Sequence, residues 1–107
     1  MPTAPKSEIL HITDLASYQE GSVVSRQITK DDAGNITLFA FDQGQELSEH
    51  TAPFDAVVHV LDGEVEVRIS GNPYHLKSGD MIIMPANEPH ALIAVTKFKM
   101  LLTMIRK

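Results

Sequence analysis

Histidine is the side chain best suited to chemistry at neutral pH: it donates or accepts a proton and binds metals through a neutral ring nitrogen. Five occur, at positions 11, 50, 59, 75 and 90. Two of them have informative surroundings. His50 closes the polar stretch GQELSEH (44–50) just before a strongly apolar run. His90 ends GDMIIMPANEPH (79–90), a glycine turn, an apolar run and a proline. The other three read more plainly, because a lone histidine in a β-rich chain is usually a surface or satisfied core residue. His75 sits between Tyr74 and Leu76 in a hairpin arm, and His59 has the opposite strand parity from Ala56. The chain has no cysteine, which removes thiolate ligands and disulfides. No serine or cysteine nucleophile set and no phosphate-binding glycine loop is visible.

The elements that must position these histidines read as strands. SVVSRQIT (22–29) is rich in β-branched residues, and DDAGN (31–35) is a turn cluster before ITLFAFD (36–42). DQGQELSEH (42–50) reads as a polar loop. AVVHVLD (56–62) follows, and Gly63 should turn it into a paired neighbour, EVEVRIS (64–70), whose Val65, Val67 and Ile69 alternate with Glu64, Glu66 and Arg68. Gly71 should close a hairpin into PYHLK, Gly79 should precede MIIMP, and HALIAVT (90–96) and FKMLLTMIRK (98–107) complete the series. The one helical candidate is a single turn at DLASYQ (14–19). Many short strands spaced by turn signals predict an all-β sandwich or barrel. Two strands are apolar on both faces: Val57 and Leu61 flank His59 opposite Ala56, Val58 and Val60, while Leu101 and Ile105 oppose Phe98, Met100, Leu102 and Met104. A strand with one wet face would alternate, so the second face needs a cover, either ILHI (9–12) as an N-terminal strand or another subunit.

With these residues in place, the chain resembles the cupin superfamily, over about residues 36–105. The first family motif is glycine, five residues, His-x-His, three or four residues, glutamate, six residues, glycine; Gly44, His50 and Gly63 match it in register. The second is glycine, five residues, Pro-x-Gly, two residues, histidine, three residues, asparagine; Gly79, Pro85 and His90 match. The resemblance implies a double-stranded β-helix jelly-roll barrel. It also implies that His50 and His90 are neighbours across that barrel. The departures are specific: Ala52 stands for the second histidine, Ala56 for the glutamate, Asn87 for the second-motif glycine and Ala94 for the asparagine. Two of the four ligands usual in metal-binding members remain.

A catalytic metal normally keeps three protein ligands and an open position, and the smallest oxygen-activating set is two histidines with a carboxylate. A third ligand would have to be Glu46, which shares nominal parity with His50, or Asp55, which a bulge at Pro53 would turn inward; Glu49 has the wrong parity. Spacing favours neither, so a divalent transition metal stays open. Without a metal, His50 and His90 line an apolar cavity with Phe39, Phe41, Met84, Met100 and Met104 as candidate walls. The same apolar side chains would equally fill a small barrel.

These features give two readings. The first is a domain that binds a small organic ligand, with a weak or atypical metal site. The second is a metal-dependent enzyme of the dioxygenase or isomerase type with a substituted ligand set. Reaction and substrate do not follow from a fold that supports many chemistries. The length of 107 residues suits one domain, with 1–8 as a loose N-terminal arm because Pro2 and Pro5 oppose regular structure. A net charge of −5 without a basic cluster argues against nucleic acid or an anionic membrane surface. No apolar run approaches the roughly 18 residues of a membrane helix, and a chain without cysteine suits the cytoplasm. The two-sided apolar strands predict a homodimer.

Overall fold

The computed structural model describes residues 3–106. Nine strands run in chain order: β1 Val23–Asp31, β2 Gly34–Phe41, β3 Glu46–His50, β4 Asp55–Asp62, β5 Glu64–Ile69, β6 Asn72–Lys77, β7 Met81–Met84, β8 His90–Ala94 and β9 Phe98–Ile105. They form two antiparallel sheets, β1-β2-β9-β4-β7 and β3-β8-β5-β6. The inner faces enclose one core in which Val58, Val60, Val65, Val67, Phe41, Phe98 and Met100 are wholly buried. Phe41 and Phe98 are cross-strand partners, stacked with centroids 4.5 Å apart, a pairing worth about 1 kcal/mol beyond the buried area.

The structure changes four sequence expectations. DQGQELSEH is not all loop, since its second half is strand β3. β3 is an edge strand in which only Leu47 packs against the core, so it lacks the apolar alternation that marks a strand. Gly63 does not join paired strands, because β4 and β5 lie in different sheets; it turns the chain from one sheet to the other. Gly71, by contrast, joins the paired strands β5 and β6. No helical turn forms across 14–19; a 3-10 turn covers Ile12–Asp14 instead. Finally, the second face of β4 and β9 is not covered by a strand at ILHI. Ile12, Leu15, Ala16 and Tyr18, in the 3-10 turn and the coil after it, pack on Leu38, Ala40, Leu61 and Leu101. Tyr18 Oη donates to Asp62 and Lys99 Nζ donates to the Thr13 carbonyl, which pins this strap. Of the expected arm, residues 1 and 2 lie outside the described residues, and Ala4 is buried with its N–H donating to the Ile28 carbonyl at 2.8 Å.

Four connections lie at one end of the barrel: β1–β2, β3–β4, β5–β6 and β7–β8. His50 ends β3 and His90 begins β8, so both lie at that end. Among the described residues no helix is long and apolar enough to cross a membrane.

Candidate functional site

The β3–β8 ladder is in register at Glu46↔Ile93 and Leu47↔Leu92, then slips before His50↔His90. Three steps along β3 therefore match two along β8, which is a β-bulge at residues 48 and 49. The slip decides the site. In a regular strand Glu46 would share a face with His50. With the bulge, Leu47 and His50 face the interior together and Glu46 turns outward, so its sequence parity is corrected. Leu92 and His90 on β8 are buried on the same inner face.

The two imidazoles meet with Nε2 atoms 3.1 Å apart and ring planes at 71°. Each ring is held from behind. His50 Nδ1 lies 2.7 Å from the Ser48 carbonyl, and His90 Nδ1 lies 3.2 Å from the Glu88 carbonyl. A carbonyl oxygen only accepts, so both Nδ1 atoms carry the hydrogen. In the neutral tautomer both Nε2 atoms then present lone pairs to each other. Two lone pairs at this distance repel unless a proton or a cation lies between them. A proton is disfavoured at His90, whose pKa is held below the usual histidine range, first by burial and second by His50, with the Glu88 carbonyl opposing.

Matched rows of cross-strand partners floor this end of the barrel. On the four-stranded sheet the row is His50, His90, Ile69, Asn72. On the five-stranded sheet it is Lys30, Asn35, Met104, Ala56, Met84. The expected pocket residues divide accordingly. Met84 and Met104 stand in the end row, Phe39 is partly buried two rows deeper, and Phe41 and Met100 have no exposed surface and fill the core. Asp55 begins β4, but its Oδ1 accepts from the Ala86 N–H at 2.9 Å and so ties the β7–β8 loop to β4. Ala52 braces the same loop by accepting from the Asn87 N–H at 2.8 Å. Asn87 has φ +65°, a left-handed conformation that asparagine tolerates better than most residues. Among the described residues no group of three histidine, aspartate or glutamate side chains is arranged to hold a metal ion.

Sequence reasoning passed over Lys30, Asn35, Phe54 and Arg106, which with Asp31, Gly34 and Met104 line a recess at this same end. Lys30 faces inward only because β1 slips register between Gln27 and Thr29, and nothing in SRQITKD announces that bulge.

The comparisons with known proteins agree with this architecture. The family model described as a cupin domain matches residues 37–106. A conserved protein of unknown function from Streptococcus pyogenes is 34% identical and superposes with a TM-score of 0.91, covering 100% of this chain and 96% of its own. A cupin superfamily protein from Desulfitobacterium hafniense DCB-2 is 26% identical, also at 0.91, with 99% and 97% covered. An uncharacterized protein of Aquifex aeolicus is 33% identical over 89 residues, 81% of this chain and 73% of its own length.

Proposed function

The chain belongs to the cupin domain family, and from that premise we propose that it binds a small organic ligand at the His50–His90 end of the barrel, with a divalent transition metal held loosely between the two rings. The observation that carries this reading is the pair of converging Nε2 atoms, each aimed by an Nδ1–H bond to a backbone carbonyl. Such outer bonds fix ring tautomer and orientation in metal-binding histidines. The spacing suits a shared ion: two nitrogens about 2.0–2.1 Å from one centre, at tetrahedral or somewhat smaller angles, are roughly 3.0–3.4 Å apart, and 3.1 Å is observed.

The alanines at 52 and 56 make the protein's own shell incomplete. A bound ion would supply Lewis acidity to whatever small molecule chelated it. The chain's own contribution is to hold two neutral imidazoles in place and to keep water from one side with Met84, Met104 and Ile69. This favours binding over the enzyme reading, which needs a third protein ligand. Isothermal titration of chelator-stripped, untagged protein with Zn²⁺ or Mn²⁺ tests it. One weak site per chain, lost in His50→Ala and in His90→Ala, is expected. Binding that survives both substitutions would refute the reading.

A two-fold homodimer belongs to the same proposal. The outer face of β4, β7 and β9 brings together Val57, Met81, Ile83, Leu101, Thr103 and Ile105 around His59. Met81, Ile83 and Ile105 are more than half exposed. Its ionisable side chains are His59 at the centre and Asp55 at the margin, opposite Ile105. A mainly apolar face of this kind is complementary to itself, as a two-fold interface requires.

A further inference from the structure

The end row of the five-stranded sheet has a polar terminus. From β9 to the far edge it is apolar, with Met104, Ala56 and Met84, but toward the other edge it finishes in Asn35 on β2 and Lys30 on β1. Beside them Arg106 lies over the Phe54 ring, 5.0 Å from guanidinium carbon to centroid. Together with Met104 these side chains line one recess of about 20 Å³. That is room for one water or one carboxylate oxygen, not for a whole ligand.

Two features make the recess more than a gap in the surface. First, a bulge turns Lys30 inward on edge strand β1 just as a second bulge turns His50 inward on edge strand β3. Bulges on edge strands commonly re-aim a side chain toward a functional site, and here both aim polar groups at the same end of one barrel. Second, the two cations lack an acidic partner: among the described residues neither Lys30 nor Arg106 forms an ion pair. The one carboxylate in the lining, Asp31, has its Oδ1 accepting the Ala33 N–H at 2.7 Å. In a chain of net charge −5, two solvent-exposed cations at one recess, neither in an ion pair among the described residues, are a local exception.

We propose that Lys30, Asn35 and Arg106 form an anion subsite, so that the ligand of this barrel carries a carboxylate at one end and an apolar body that lies against Phe54 and Met104. This deepens the proposed function and rests on it for the identification of the His50–His90 end as the ligand site. The guanidinium fork and the ammonium donate to the carboxylate oxygens, and the Asn35 amide supplies a neutral donor. The apolar body extends toward the histidine pair.

The test uses benzoate and its neutral analogue benzyl alcohol as probes, titrated into isotope-labelled, metal-free protein and followed by amide chemical shifts. Benzoate should perturb residues 29–36, 53–55 and 103–106, and benzyl alcohol should bind there about tenfold more weakly, as expected for the loss of a charge-assisted hydrogen bond. A Lys30→Gln/Arg106→Gln double variant should lose the same factor, while Lys77→Gln, at the opposite end of the barrel, should leave benzoate binding within about twofold. Equal binding of the two probes, or benzoate shifts confined to other surfaces, would overturn the subsite. Benzoate binding lost in His50→Ala but kept in the double variant would overturn it as well and leave the histidine reading standing. If metal titration fails while benzoate binds as described, the histidine reading falls and the anion subsite remains.

Discussion

His50 and His90 are cross-strand partners whose rings meet edge to face, with centroids 4.4 Å apart, although 40 residues separate them in the chain. They differ in setting: His90 is 4% exposed, while His50 lies open to solvent. His50→Ala should therefore abolish metal binding at almost no cost in stability. His90→Ala should abolish it too but destabilise by about 1–2 kcal/mol, because it opens a buried site. Urea midpoints beside the metal titrations check this. Equal stability of the two variants would contradict the burial difference.

The pH dependence of stability follows from His90. Burial, then the neighbouring His50, lowers its pKa in the folded protein. In the unfolded chain it titrates near its ordinary value of about 6.5. Well above that pH both states hold it neutral and nothing is lost. As pH falls through about 6.5 the unfolded chain takes up the proton first, so stability declines until the lower folded-state pKa is reached and then levels off. In chelator-treated protein, the stability gap between the parent and His90→Gln should shrink as pH drops from about 7.5 to about 5.5. A gap that stays constant would show that His90 carries no such shift.

Gly63 and Gly71 separate two reasons for glycine. Both have positive φ, +76° and +82°. A Cβ at Gly71 meets nothing within 4 Å, whereas a Cβ at Gly63 would stand 1.9 Å from the Lys97 carbonyl oxygen. Gly71→Ala should cost only the backbone strain, about 1 kcal/mol. Gly63→Ala must also push back β9 where the chain passes between sheets, and about 3 kcal/mol or more is expected. Thermal melts of the two variants compare them directly. A Gly63→Ala melt as mild as that of Gly71→Ala would mean that the crossing is loosely packed.

The contrast between what could and could not be read from the sequence has the same origin. Val65, Val67 and Ile69 announced β5 because alternation survives wherever a strand has one buried face. β3 did not, because an edge strand that buries only Leu47 leaves no pattern. The fold and the nearness of His50 to His90 were legible through glycine and proline spacing. The faces of Glu46 and Lys30 were not, because each depends on a bulge, and a one-residue slip reverses every side chain beyond it. The role of Gly63 was misjudged for a related reason: a tight turn looks the same in sequence whether the next strand pairs with the last or enters the opposite sheet.

The outer face of β4, β7 and β9 gives the last prediction. The N-terminal strap covers Leu61 and Leu101 but leaves Met81 and Ile83 each 59% exposed on the short edge strand β7, with Val57 beside Ile83. An edge strand with outward aliphatic side chains invites pairing with another chain unless it is covered. If a second copy covers it, sedimentation at micromolar concentration should give a dimer, and Ile83→Asp should give a monomer, because the interface would bury two unpaired carboxylates across its two-fold axis. The substitution lies on the outer face, so the monomer should keep the histidine pair and bind metal as the parent does. A parent protein that sediments as a monomer, or an Ile83→Asp variant that stays dimeric, would show that this face is not the one that pairs.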